Sequence, residues 1–223
     1  MSKKIKKKIK FKFIPFFIFI FLCLGIYFGV RYISDTKIKN IYIYGNCLLK
    51  DQEIISLAQI SDYPSFYKTS SRSIKNNIKK SPYIKDVKIE KKFFNVLKIH
   101  IKEYIPLFIM NNYIILDNFS KAPIIDIKLP IASNINDEEI LKKFVLAFLK
   151  VKANIRGNIS EIIYSPTEYD KTRFLFYMDD GNHIYINTGK IENINYYDEI
   201  YPTLNNKKGT LYLDSGNHFV VFK

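Results

Sequence analysis

The sequence predicts an α+β protein carried on a single N-terminal membrane-spanning helix, and three observations lead there. An uncharged apolar run, Phe13 to Val30, comes directly after a lysine-rich start. Residues 36–105 then read as strand, helix, helix, strand, strand. Beyond Pro106 the pattern changes to short strands interrupted by two helical stretches.

The anchor comes first. Seven of the first twelve residues are lysine, which concentrates about half of the formal charge of +14 in that tail. The apolar run FIPFFIFIFLCLGIYFGV would form a helix of roughly 27 Å, enough for the hydrocarbon core of a bilayer. Pro15 lies in its first turn, where a missing N–H does little harm. Basic residues before the run outnumber those soon after it (Arg31, Lys37, Lys39), which places the N-terminus in the cytoplasm and the bulk of the chain outside. A cleaved signal peptide is the competing reading. Its apolar region is normally about 7–15 residues and ends in a small-residue site, whereas this run is longer and continues into VRYISDTK. The chain thus divides into a basic cytoplasmic tail (1–12), a transmembrane anchor (13–32), a first exported domain (36–105) and a second (106–223). Cys23 lies in the anchor and Cys47 beyond it, so the sequence offers no disulfide framework. The bulky Leu22 before Cys23 argues against a lipoprotein site.

In the first exported domain, Ile41 and Ile43 alternate with Tyr42 and Tyr44, and Gly45-Asn46 supplies a turn. DQEIISLAQI opens with an Asp suited to N-capping and sets Ile54, Leu57 and Ala58 on one helical face. SRSIKNNIKKSP carries Ile74 and Ile78 four apart and is stopped by Pro82. In the stretch Ser81–Pro106, Val87 and Ile89 alternate with Lys88 and Glu90. Leu97, Ile99 and Ile101 alternate with Lys98, His100 and Lys102. A three-stranded sheet covered by two helices would bury these stripes and leave lysine on the solvent side.

The second domain begins with two strands around Asn111-Asn112 and a turn at Asn118 to Lys121, after which LPIASN reads as a loop. NDEEILKKFVLAFLKVKAN is a helix, with a capping-box shape at Asn136 and Glu139 and a stripe from Ile140 to Leu149. ISEIIYS, TRFLFYM and NHIYINT are strands, the last two joined at Asp180-Gly181. IENINYYDEIYPTL is a weaker helix, and GTLYLDSGNHFVVFK forms two strands about Ser215-Gly216.

No catalytic constellation emerges. His100, His183 and His218 lie far apart without partners at metal-ligand spacing. Gly189-Lys190 lacks the preceding Gly and the succeeding Ser or Thr of a phosphate loop. Asp179 and Asp180 belong to a turn sequence. The matches to the glycosylation pattern at Asn118 and Asn158 are common by chance. The lysine-rich strands admit a polyanion-binding surface, but a face outside the cytoplasm argues against nucleic acid, and lysine also keeps strand edges from aggregating. A membrane-anchored cell-wall enzyme and a polyanion-binding surface protein stand as two function classes open to this chain.

In order and spacing, the chain resembles the FtsQ/DivIB family of bacterial cell-division proteins, in its Gram-positive DivIB-like branch. Gly45, Asn46, Pro82, Ile84, Val87, Ile89, Lys92, Asn95, Ile99, Ile101 and Glu103 match the family's pattern in its first exported unit, a POTRA domain. Phe94 stands where the family usually has proline, and Tyr104 where arginine is common. YIILDNFSKAP, LPIAS, YMDDGNHIYINTGKI and NKKGTLYLDSGNHFVVFK resemble successive stretches of its C-terminal β domain. The resemblance implies a non-enzymatic divisome scaffold at the septal membrane, without cofactor or metal, that helps control septal peptidoglycan synthesis. It also implies binding of FtsL- and DivIC/FtsB-like bitopic proteins through the last strands, at Tyr212, Leu213, Asp214, Ser215, Phe219, Val220 and Val221. Main-chain pairing at a sheet edge would supply the affinity.

Overall fold

The structure, a computed structural model, describes residues 13–205 and 207–223; the basic tail 1–12 lies outside them. The architecture is α+β. The chain forms two compact units, one of residues up to 81 with 86–102, the other of 82–85 with 103–223.

Helix α1 (Phe13–Ser34) is 22 residues long and buries none of them. Its length of roughly 33 Å matches a bilayer core. Phe13 and Val30, the ends of the apolar run, are both more than half exposed. Two contacts tie the end of α1 to the loop before α3: the Ser65 hydroxyl donates to the Ser34 carbonyl, and Lys68 pairs with Asp35.

The first unit holds β1 (Asn40–Tyr44), α2 (Asp51–Leu57), α3 (Ser71–Ile78) and all but the end residues of β2 (Ile84–Lys92) and β3 (Val96–Glu103). The sheet order is β1-β3-β2, with β1 parallel to β3. Ile54, Ile74 and Ile78 from the helices and Val87, Leu97 and Ile99 from the strands are each 1% exposed or less, and these make the apolar interior. Gly45 is obligatory: its φ is 82°, and a Cβ there would sit 2.4 Å from the Ile101 carbonyl oxygen.

The cap of α2 differs from the sequence expectation. Asp51 is already helical, and its carboxylate accepts from the Asn46 amide at 2.9 Å. The N-cap is Lys50, whose N–H donates to the Glu53 carboxylate at 2.7 Å. A glutamate in the third helical position thus satisfies the helix entry without a polar cap side chain. At α3 the cap is Ser70, accepting from the Ser73 N–H. Asp86 on β2 bridges Lys79 and Lys75 of α3. Hydrogen bonds from Lys79, the Val87 backbone and Lys75 hold its carboxyl well below the usual carboxylate range.

Between β2 and β3 a tight turn, Phe93–Asn95, places Phe94 at φ 64° and Asn95 at φ 58°. Proline, fixed near φ −65°, cannot occupy position 94 in this backbone. Left-handed geometry costs a bulky L-residue about 1–2 kcal/mol. Asn95 offsets part of this by donating its amide to the Lys37 carbonyl at 3.1 Å and accepting the Lys39 N–H at 3.0 Å.

In the second unit, β4 (Pro106–Met110) and β5 (Tyr113–Leu116) form a hairpin whose Asn111 and Asn112 both have positive φ, a turn that suits the twist of the strands. Next come β6 (Lys121–Ala122), β7 (Ile131–Ser133), α4 (Glu138–Phe148), α5 (Ala153–Gly157) and β8 (Ile159–Tyr164). β9 (Arg173–Met178), β10 (His183–Asn187), α6 (Tyr197–Ile200), β11 (Gly209–Tyr212) and β12 (His218–Val221) complete it. Two expectations are corrected. LPIASN is not a loop, since β7 pairs in parallel with β4 and β8; three residues are too few to show a period. The cap of α4 is Asp137 rather than Asn136, its carboxylate accepting from the N–H groups of Glu139 and Ile140. The weak helix after β10 is a composite, with 3₁₀ turns at Ile191–Tyr196 and Tyr201–Leu204 flanking α6.

These strands make one nine-stranded sheet in the order β12-β11-β10-β9-β8-β7-β4-β5-β6. Helix α4 covers one face, where Phe144 stacks on Phe174 at 4.2 Å between ring centroids and Phe148 meets Phe176 edge-on. The core residues of β9 and β10 alternate, Phe174, Phe176, Ile184 and Ile186 pointing inward.

Candidate functional site

A sheet of this order has two edges, and they differ. β6 is two residues long and shows an exposed lysine, Lys121, a short and charged edge of the kind that resists further pairing. β12 is four residues long; Val220 and Val221 on it, and Phe222 after it, are 50%, 45% and 43% exposed.

Register fixes which backbone groups that edge presents. β12 runs antiparallel to β11, with Val221 opposite Gly209, Val220 opposite Thr210, Phe219 opposite Leu211 and His218 opposite Tyr212. Past the end of β12, the Phe222 N–H donates to the Lys208 carbonyl at 2.9 Å. Bonded and non-bonded pairs alternate in an antiparallel ladder. Val220 and His218 therefore bond to β11, while Phe219 and Val221 turn their N–H and C=O groups off the sheet. The Gly209 N–H is consistent with this phase, since it points the other way, to the Asn182 side-chain carbonyl at 3.0 Å.

Two residues hold β11 and β12 in place. Gly209 allows close approach: a Cβ there would lie 2.2 Å from the Val220 carbonyl oxygen and 2.7 Å from the Phe219 ring. Asn182 is fully buried. Besides accepting from Gly209, it donates to the Tyr197 hydroxyl at 2.9 Å, and its backbone N–H reaches Asp180 at 2.8 Å. Tyr197 completes the cycle by donating to the other Asp180 oxygen at 2.6 Å. Burial, with the Asp180 hydrogen bond adding to it, pushes the Tyr197 phenol well above its ordinary range, so it is a fixed donor.

The sheet face opposite α4 carries a column of rings. The Arg173 guanidinium lies 3.7 Å over Tyr185, Tyr185 stacks on Tyr212 at 5.3 Å, and Tyr212 stacks on His218 at 4.7 Å. Arg173 also pairs with Asp214 at 2.6 Å, and both side chains are largely buried. A buried pair of this kind specifies geometry more than it stabilises. Here it fixes the turn between β11 and β12, aided by Lys190, which donates to the Asp214 carbonyl at 2.6 Å.

The sequence-derived contact residues therefore separate into three groups. Val220, Val221 and Ser215 are exposed, and Tyr212 and Phe219 are half-buried. Asp214 is committed to Arg173. Leu213 is 2% exposed and belongs to the core, so its side chain is closed to a partner in this structure. Sequence reasoning missed Asn182, which looks like an ordinary turn residue in D-D-G-N, and Arg173. Gly209 carried a usable signal, since a glycine opening a strand marks close backbone approach.

Other residues singled out for chemistry have structural employment. Asp180 serves the Asn182 network, Asp179 pairs with Lys128, and Lys190 comes after a turn closed by Asn187. His100 stacks on Tyr44, while His183 sits between Tyr177 and Phe222, where burial pushes its imidazole down. Among the described residues no three metal-ligating side chains cluster.

Comparison with known proteins gives the family. The model of the FtsQ-type POTRA domain matches residues 36–104. The cell division protein DivIB of Bacillus cytotoxicus is 30% identical over 157 residues, which cover 67% of this chain and 62% of that protein. DivIB of Bacillus anthracis is 27% identical over 212 residues, 91% of this chain and 78% of the relative. DivIB of Bacillus subtilis is 26% identical over 200 residues, 84% of this chain and 75% of the relative. The extracytoplasmic domain of DivIB from Geobacillus stearothermophilus aligns with a TM-score of 0.39 and 18% identity, over 47% of this chain and 96% of that one, a likeness too loose to bear on the fold. With an FtsQ-type POTRA domain behind an apolar helix and DivIB sequence similarity along most of its length, the chain belongs to the FtsQ/DivIB family of cell-division proteins.

Proposed function

We propose that this chain is a non-enzymatic, bitopic scaffold of the division machinery. Anchored by α1 with its N-terminus inside, it links septal division proteins through its extracytoplasmic units and so helps control septal peptidoglycan synthesis. The partners are FtsL- and DivIC/FtsB-like bitopic proteins. The docking element is β12, against whose free edge a partner segment adds as a further strand.

The observation that carries this reading is the asymmetry of the sheet edges. One edge is short and guarded by lysine, whereas β12 offers two outward pairs of N–H and C=O groups beside exposed valines. An unprotected apolar edge invites pairing, and a soluble domain keeps one where pairing is its task. Affinity would come from the main chain of Phe219 and Val221, and specificity from Val220, Val221 and the Tyr212–His218 stack.

A fluorescent fusion to the full chain tests the cellular role. Recruitment to midcell at the time of septation is expected; a label spread evenly over the membrane through the cell cycle would contradict the reading.

A further inference from the structure

The turn between β2 and β3 carries the two most exposed phenylalanines of the first unit, Phe93 at 90% and Phe94 at 87%. They sit next to Asn95, which grips the segment leaving the anchor through the Lys37 carbonyl and the Lys39 N–H. Lys37 stands three positions after Ser34, the last residue of α1, so the turn is held within about 15–20 Å of the helix end. The loop at residues 61–70 is drawn to the same place. The Ile38 N–H donates to the Pro64 carbonyl, the Phe66 N–H to the Thr36 carbonyl, and Lys68 pairs with Asp35. Two exposed tyrosines, Tyr63 and Tyr67, lie on that loop.

From this juxtaposition we infer that the anchor-side end of the first unit is a lipid-docking surface. Phe93 and Phe94 insert into the outer-leaflet interface, with Tyr63 and Tyr67 at headgroup level and Lys37, Lys39 and Lys92 facing anionic phosphates. The inference rests on the anchored reading of α1. Continuity supports it, because the chain's own anchor brings this end to the bilayer. The chemistry also suits an interface, where aromatic rings settle and lysines find anionic headgroups. Charge agrees: Lys37, Lys39 and Lys92 are exposed, and of the nearby acids Asp35 is paired with Lys68 and Glu90 with Lys88 and Lys92 at 2.8 Å and 3.1 Å, against one further exposed acid, Asp62, on the 61–70 loop. Membrane docking also accounts for two large apolar side chains standing fully in solvent on a backbone that is strained at Phe94.

The chain contains no tryptophan, so one introduced residue reports alone. The full chain carrying Phe94→Trp, and separately Phe93→Trp, is reconstituted into phosphatidylglycerol–phosphatidylethanolamine vesicles with and without bromine-labelled acyl chains. A third variant, Phe19→Trp, reports the anchor. The expected result is blue-shifted emission at positions 93 and 94 that loses most of its intensity to the bromolipid, alongside quenching at position 19. Quenching at 19 with red, unquenched emission at 93 and 94 overturns the inference, leaves the anchor intact, and gives the pair to solvent or a protein partner. No quenching at any position overturns the anchor, and the docking surface with it.

Discussion

Replacing Asn182 with leucine is expected to lower the folding stability of the second unit by about 2–4 kcal/mol. The side chain is fully buried and answers two groups at once, the Gly209 N–H and the Tyr197 hydroxyl. Leucine keeps the same branched arrangement of heavy atoms but leaves the Gly209 N–H without an acceptor, and an unmet buried donor costs more than a typical hydrogen bond contributes. The loss falls where β11 begins, so β12 loosens with it. Denaturant unfolding of the full chain in micelles, monitored through tyrosine dichroism, measures the effect. A change below about 1 kcal/mol would mean that Asn182 does not pin β11 in place.

Substituting Val221 by proline is expected to weaken capture of a DivIC-like partner by about ten-fold or more, with little change in folding stability. The Val221 N–H points off the sheet, so its removal spares every bond between β11 and β12, and proline is tolerated on an edge in that position. A partner strand, by contrast, loses a donor and meets the ring. Val220→Pro supplies the contrast. It removes a bond inside the sheet and is expected to lower stability, so the two variants separate a binding defect from a folding defect. Equal capture by Val221→Pro and the parent chain would remove the edge from the proposed mechanism.

Sequence patterning exposed the elements whose apolar residues repeat over several turns or strand positions. The α4 stripe, with Phe144 and Phe148, and the β9–β10 alternation are of this kind. β7 and α5, at three and five residues, fall below the length at which periodicity can be seen. Caps shifted by one position, to Lys50 and Asp137: at α4 Asn136 and Asp137 offer equivalent oxygens and only the backbone path chooses between them, while at α2 the Glu53 carboxylate takes the Lys50 N–H and no cap side chain is used. The terminal segment was legible as strand, but not the direction of its groups. Leu213 and Val221 are both apolar, yet one is 2% exposed and the other 45%. That distinction comes from register across β11, and register depends on Gly209 and Asn182, whose partners are remote in sequence.

The central claim, that a partner adds a strand to β12, is tested most directly by residue-resolved amide hydrogen exchange. The full chain in micelles is compared with and without the extracytoplasmic segment of a DivIC-like protein. The Phe219 and Val221 amides, unbonded in the free protein, are predicted to exchange fast alone and to become strongly protected on binding. Binding that leaves those two amides fast while protecting another part of the molecule would contradict it.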